Sequence, residues 1–95
     1  MGKNTKPYTE TTHGNISIRT FDKDIDSGEL TWHRDREDRI VEIIQGNNWK
    51  LQFDNQLPVT LTEGEKYFIP KGEYHRVIIG DGILKVKIIK TNIQY

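Results

Sequence analysis

The sequence predicts an all-β domain, and three observations support this prediction. Runs of β-branched and aromatic residues recur along the chain, Gly-, Pro- and Asn-containing segments separate them, and no segment has the apolar period of an amphipathic helix. About eight short strands with regular turns are typical of a sandwich or barrel. With 95 residues, the chain has the length of one domain.

Composition narrows the range of functions. The formal net charge is zero, which gives no indication of binding to nucleic acid or to a membrane surface. There is no cysteine, so a thiolate metal site and a disulfide framework are both excluded. The N-terminus has no signal-peptide pattern, and we expect a soluble, cytoplasmic protein. Only 34% of the residues are apolar, so the core is small and dimerisation would stabilise it.

The strands follow from alternation and from turn residues. We predict strands at 16–21, 29–33, 38–45, 49–54, 58–64, 67–69, 74–79 and 83–89. Residues 1–13 are expected to be a flexible arm or, alternatively, an edge strand. The barrel is assigned to residues 14–90 and a C-terminal tail to 91–95. The segment Gly80-Asp81-Gly82 predicts a hairpin turn between the last two strands.

Side-chain parity assigns the faces of the strands. It turns His75 inward and turns Arg76, Lys85 and Lys87 to solvent. Trp49, Leu51 and Phe53 share one face and are expected in the core. Trp32 opposes His33 and is expected in the core or an interface. In segment 39–44 both alternating sets are partly apolar, which leaves the inward face open and indicates a strand covered on both sides, as in a dimer.

The most informative stretch runs from Gly64 to His75. Tyr67, Phe68 and Ile69 favour a strand, Pro70 ends it, and Gly72 permits the turn that leads to His75. A turn that fixes an imidazole at the mouth of a β-structure is a good position for a binding site.

These residues resemble the second motif of the cupin superfamily, in which Gly, Pro, Gly, His and Asn stand at fixed offsets. Gly64, Pro70, Gly72 and His75 match, whereas Ile79 stands at the Asn position. The first cupin motif is degraded. Its His-x-His pair is represented by His33 and Asp35, its Glu by Arg39, and Gly28 lies one residue too close to His33, while Gly46 matches. The resemblance implies a double-stranded β-helix (jelly-roll) barrel with an internal site, often in a dimer.

The resemblance also implies a divalent metal held by His33, Asp35 and His75. Two imidazoles and a carboxylate suit Fe, Zn, Mn or Ni. Arg39 opposes a metal, because it would repel the ion and pair with Asp35 instead. Two arrangements resolve this conflict: Asp38 supplies a fourth ligand, or Arg39 binds an anionic ligand beside a three-ligand metal.

Three functions remain open. The first is a metal-dependent enzyme that acts on a small polar or anionic ligand, as an oxygenase, isomerase or decarboxylase. A 2-oxoglutarate oxygenase is disfavoured within this class, since Lys85, at the position of the co-substrate-binding cation, points outward. The second is a metal-free module that binds a carbohydrate, carboxylate or phosphate through Arg39 and the two histidines. The third is a dimerisation unit with a vestigial site.

Overall fold

The computed structural model describes residues 8–22 and 30–91 of the chain. Within these ranges the chain forms eight strands, named in chain order: β1 Tyr8–His13, β2 Ile16–Asp22, β3 Arg39–Asn47, β4 Lys50–Phe53, β5 Val59–Thr60, β6 Lys66–Ile69, β7 His75–Ile78 and β8 Asp81–Lys90. The strand pairs are antiparallel. Nothing in this part of the chain forms a helix long and apolar enough to cross a membrane.

The strands form two sheets that enclose the core. One sheet has the order β1-β2-β8-β3-β6, and the other has the order β5-β4-β7. The inward side chains are apolar and closely packed: Phe21, Ile43, Trp49, Leu51, Leu61, Ile69, Leu84, Val86 and Ile88. Trp49 is fully buried at the centre of this cluster. The predicted all-β jelly-roll architecture is therefore confirmed.

Parity predicted most faces correctly. His75 points inward and is 2% exposed. Trp49 and Leu51 are in the core, and Phe53 packs against it. In β3 the inward set consists of Arg39, Val41 and Ile43, which resolves the alternatives that the sequence left open.

The structure corrects three local predictions. The predicted strand 29–33 is absent from its described residues, 30–33, apart from a single bridge at His33. In segment 58–64, predicted as a strand and turn, the strand is only Val59–Thr60 and the turn follows at 63–64. The segment 80–82 is not a hairpin turn, because β7 pairs with β4 whereas β8 pairs with β2 and β3. Here the chain crosses between the sheets, and a local turn signal cannot distinguish a crossing from a hairpin.

The N-terminal boundary also differs from the expected one. Residues 8–13 form β1, which pairs in continuous register with β2, so the edge-strand alternative describes them and the flexible arm does not. Glu10 binds the side chain of Arg19 on β2 at 2.8 Å and thereby fastens β1 to the sheet. Residues 1–7 of the arm, 92–95 of the tail, and Gly28 of the first motif lie outside the described residues.

Gly80 is required by the crossing between the sheets. A Cβ atom at this position would lie 2.4 Å from Asn47 O, Asn48 C and Trp49 N. These atoms belong to the backbone, which cannot move aside as a flexible side chain could. The crossing therefore needs a residue without a side chain.

We predict that Gly80→Ala destabilises the protein by about 1–3 kcal/mol, the usual cost of overpacking a close contact. Denaturant unfolding followed by tryptophan fluorescence measures this change, since Trp49 lies beside the contact. Gly82→Ala is the matched control. At Gly82 a Cβ atom would meet nothing within 4 Å, and the positive φ of 66° limits the cost to about 1 kcal/mol. Equal costs for the two variants would contradict the steric explanation.

Candidate metal centre

Two backbone hydrogen bonds bring together the histidines of the two motifs. His33 N–H donates to His75 O at 3.0 Å, and His75 N–H donates to His33 O at 2.8 Å. The resulting bridge places the imidazole rings 4.3 Å apart between centroids. His33 lies in the segment before β3, and His75 is the first residue of β7. The pairing of His33 with His75 that the two motifs implied is therefore a direct backbone contact.

The turn of the second motif holds the segment that carries Asp35. Gly72 N–H donates to Asp35 O at 2.9 Å, and Lys71 N–H donates to Asp38 Oδ1 at 2.8 Å. Gly72 has a φ of 80°, so the backbone freedom that the sequence predicted for it is used. The carboxylate of Asp38 is engaged with this turn and lies outside the His33–Asp35–His75 group.

His33, Asp35 and His75 converge. One ligand atom from each lies within 4.8 Å of the others. His33 Nδ1 is 2.9 Å from Thr31 O, and His75 Nδ1 is 2.9 Å from Glu73 O. A carbonyl oxygen can only accept a hydrogen bond, so each Nδ1 carries a proton. In the neutral imidazole each Nε2 then presents a lone pair, the form that binds metals.

The contact between Asp35 and His75 is one that a shared cation, either a proton on His75 Nε2 or a metal ion, would satisfy. His75 Nε2 lies 3.3 Å from Asp35 Oδ2, and both atoms are hydrogen-bond acceptors in this tautomer. Asp35 Oδ2 is buried and accepts no hydrogen bond within the described part of the chain. Two ligands at the usual metal–ligand distances of about 2.0–2.2 Å stand roughly 3.0–3.4 Å apart. The residues therefore fit a divalent ion, which would supply the missing positive charge.

Arg39 forms ion pairs with both Glu37 and Asp35, and the pair with Glu37 is the closer one. Its guanidinium binds Glu37 at 2.7 Å through both Nε and an Nη atom, whereas the nearest Asp35 atom, Oδ1, is 3.6 Å away. Oδ1 thus faces the arginine, and Oδ2 faces His75. Glu37 also offsets much of the positive charge of Arg39, which weakens its repulsion of a metal ion.

The electrostatic surroundings keep Asp35 ionised. Burial is the largest single influence and acts to raise its pKa. In the metal-free site the contact with His75 and the charges of Arg39 and of the His75 and His33 imidazoles, in their protonated form, act in the opposite direction. Together they prevail, so the pKa of Asp35 lies below its usual value. Asp35 is therefore a carboxylate at neutral pH, the form that a metal requires.

The outer side of the same strands carries two cation–π pairs. The Arg76 guanidinium lies 4.8 Å from the Trp32 ring centroid, and that of Arg34 lies 5.2 Å from the Tyr74 ring centroid. Trp32 opposes His33 as parity predicted, but it is 43% exposed and so lies outside the core. The two pairs fasten the Trp32–Asp35 segment to β7 from the side opposite the metal ligands.

A cavity of about 50 Å³ adjoins Asp35 and His75. Asp35 and His75 form part of its wall, which also contains Arg39, Arg19 and Tyr67 among mainly apolar side chains. Its volume is that of about three to five water-sized groups. Sequence reasoning missed Arg19, which is 6% exposed. The available signal was parity, because Arg19 lies two residues before the buried Phe21 on β2.

Comparison with known proteins identifies the fold. No family model matches the chain, and no curated protein matches it significantly. A cupin-2 domain protein from Shewanella frigidimarina is 25% identical, with a TM-score of 0.62 over 86% of this chain and 76% of that one. A cupin domain from Bordetella pertussis is 23% identical, with a TM-score of 0.66 over 95% of this chain and 99% of that one.

A further structural relative carries the name of the fold. An RmlC-like cupin from Methanocaldococcus jannaschii, with a double-stranded β-helix, is 17% identical. Its TM-score is 0.70 over 95% of this chain and 84% of that one. These likenesses agree with the spacing of Gly64, Pro70, Gly72 and His75 and with the two antiparallel sheets around an internal site. The chain therefore has the double-stranded β-helix fold of these cupin structures.

Proposed function

We propose that the protein binds one divalent metal ion through His33 Nε2, Asp35 Oδ2 and His75 Nε2. The observation that carries this proposal is the convergence of three ligand atoms within 4.8 Å, with both Nδ1 protons committed to carbonyl oxygens. The three ligands leave coordination positions open, which is typical of a metal that acts on a substrate. Bound there, the metal would act as a Lewis acid or bind oxygen.

We further propose that the ligand is small and polar or anionic at one end. The cavity beside Asp35 and His75 limits its size, and Arg39 supplies a cation at the edge of the proposed metal site. Glu37 fixes the direction of that guanidinium, so Arg39 orients the ligand and does not form a fourth metal contact. The mainly apolar remainder of the wall suits a short apolar portion of the ligand.

A metal-free binding module is the second candidate. Its expected sign is an Arg39–Asp35 salt bridge that replaces the ion. The structure contains this ion pair, at 3.6 Å, and it supports the metal-free candidate. The shorter 2.7 Å contact of Arg39 with Glu37 and the three converging ligand residues support the metal-binding proposal. A cytoplasmic location and the choice among an oxygenase, isomerase or decarboxylase remain predictions from sequence. We also propose that the chain works as a homodimer, because β3 bears apolar residues on both faces.

The first prediction concerns metal stoichiometry. Untagged protein loaded with Zn²⁺ or Mn²⁺ and desalted should retain about one ion per chain by elemental analysis. His33→Ala and His75→Ala should each lower the affinity at least tenfold in calorimetric titration, because each removes one of three ligands. His13→Ala is the matched control, since His13 is exposed on the edge strand β1. Unchanged metal content in both site variants would refute the assignment.

The second prediction separates the metal from its neighbouring cation. Arg39→Met should raise Zn²⁺ affinity several-fold, because it removes a positive charge beside the ion. The same change should weaken the binding of an anionic probe, oxalate, to the metal-loaded protein by about tenfold or more. Arg36→Met, at an exposed arginine of the same segment, is the control. A loss of Zn²⁺ affinity in Arg39→Met would contradict the role given to Arg39.

The third prediction concerns the acid stability of the metal-free protein. The pKa of Asp35 is lower in the folded than in the unfolded chain, so its ionised form stabilises the fold above the unfolded pKa of about 4. This contribution is lost as the pH falls through the lower folded pKa. Urea unfolding between about pH 2 and 6 should therefore show a flatter acid limb for Asp35→Asn than for the parent. An identical pH dependence of the unfolding free energy in the two proteins would show that the Asp35 carboxylate is not stabilised by its neighbours.

A further inference from the structure

An apolar row crosses four strands on the outer face of the larger sheet. In the strand register Ile16 pairs with Ile89, Ile89 with Ile40, and Ile40 with Phe68. Paired residues in an antiparallel sheet project to the same side, so these four side chains are contiguous. They oppose the inward-facing Ile88 and Val41, which pack in the core. An antiparallel sheet with a solvated outer face is normally polar there, and this row is not.

The row leaves substantial apolar surface in water. Phe68 is 55% exposed, and Ile16, Ile40 and Ile89 are each partly exposed. A continuous apolar band of this kind, rimmed by charges, is the usual mark of an interface.

In the adjacent row on the same face, three of the four residues are charged. Its members, in strand order β2-β8-β3-β6, are Ile18, Lys87, Glu42 and Lys66. The central pair consists of a lysine on β8 and a glutamate on β3. Opposite charges at these two central positions make the face self-complementary under a two-fold rotation.

Consider two copies that face each other across a two-fold axis parallel to the strands and midway between β8 and β3. This rotation places β8 of one copy opposite β3 of the other, and each row then faces the same row of the partner. The apolar row then packs on itself, with Ile16 against the partner's Phe68 and Ile89 against the partner's Ile40. In the charged row, Lys87 meets the partner's Glu42, and this contact occurs twice. Because each sheet is twisted, the strands of the two packed sheets cross at about 30°. This rotation displaces the central contacts least, since they lie nearest the axis.

We propose that this face, defined by Ile16, Ile89, Ile40, Phe68 and the Lys87–Glu42 pair, is the contact surface between two copies of the chain. The inference rests on the proposed homodimer and is independent of the metal. A patch about four strands wide and two or three rows long covers roughly 400 Å² per copy, from the usual strand and residue spacings. That footprint is at the low end for a specific interface, so the dimer dissociates on dilution.

Sedimentation equilibrium of the untagged chain over about 1–200 μM tests the proposal. The expected result is a reversible monomer–dimer equilibrium. Phe68→Asp and Glu42→Lys should each raise the dissociation constant at least tenfold, with unchanged circular dichroism. Tyr74→Asp is the control, because Tyr74 is a comparably exposed aromatic residue, at 45%, that lies outside the five-stranded sheet. Zn²⁺ binding should be unchanged in Phe68→Asp.

The register is tested by exchanging charges. Glu42→Lys faces Lys87 with a lysine, and Lys87→Glu faces Glu42 with a glutamate, so each variant alone should be monomeric. Mixed in equal amounts, the two variants restore both lysine–glutamate contacts and should form a heterodimer, detectable by native mass spectrometry. Failure of the mixture to associate would overturn the proposed axis.

Two other outcomes would also overturn the inference. A dimer that persists in Phe68→Asp and Glu42→Lys would place the interface elsewhere while leaving the homodimer proposal intact. A monomer at all concentrations would refute both.

Discussion

The two backbone hydrogen bonds between His33 and His75 are the constraint on which the candidate site depends. They are the strand contact that joins the Leu30–Asp38 segment to β7, and they face the metal ligands toward each other. The turn at Gly72 and the cation–π pairs on the outer side support the same junction. Because a metal site tolerates little displacement of its ligands, this reinforcement from both sides would favour binding of an ion at the candidate site.

The charges around the junction form an ordered chain. Glu37 holds Arg39, Arg39 faces one oxygen of Asp35, and the other oxygen faces His75. Asp35 in this series separates the Arg39 guanidinium from the His75 imidazole. The arrangement allows an arginine to lie beside a metal site without occupying it, and it leaves that arginine available to orient an anion.

The two faces of the larger sheet contribute to different features of the domain. The inward face of β3 supplies Arg39 to the site and Val41 and Ile43 to the core, whereas its outward face contributes Ile40 and Glu42 to the self-complementary surface. A small barrel with a lean apolar content can gain stability from a second copy without changing its interior. The site and the proposed interface therefore act through opposite sides of one strand.

The sequence by itself determined the fold class, because alternation and turn residues are local signals. It also determined His75 and its turn, since Pro70 and Gly72 act on the backbone at their own positions. Tertiary structure decided the rest. The sheet crossing at Gly80 and the burial of Arg19 depend on which strands become neighbours. That choice is made by long-range packing and register, which leave no signature within a single strand.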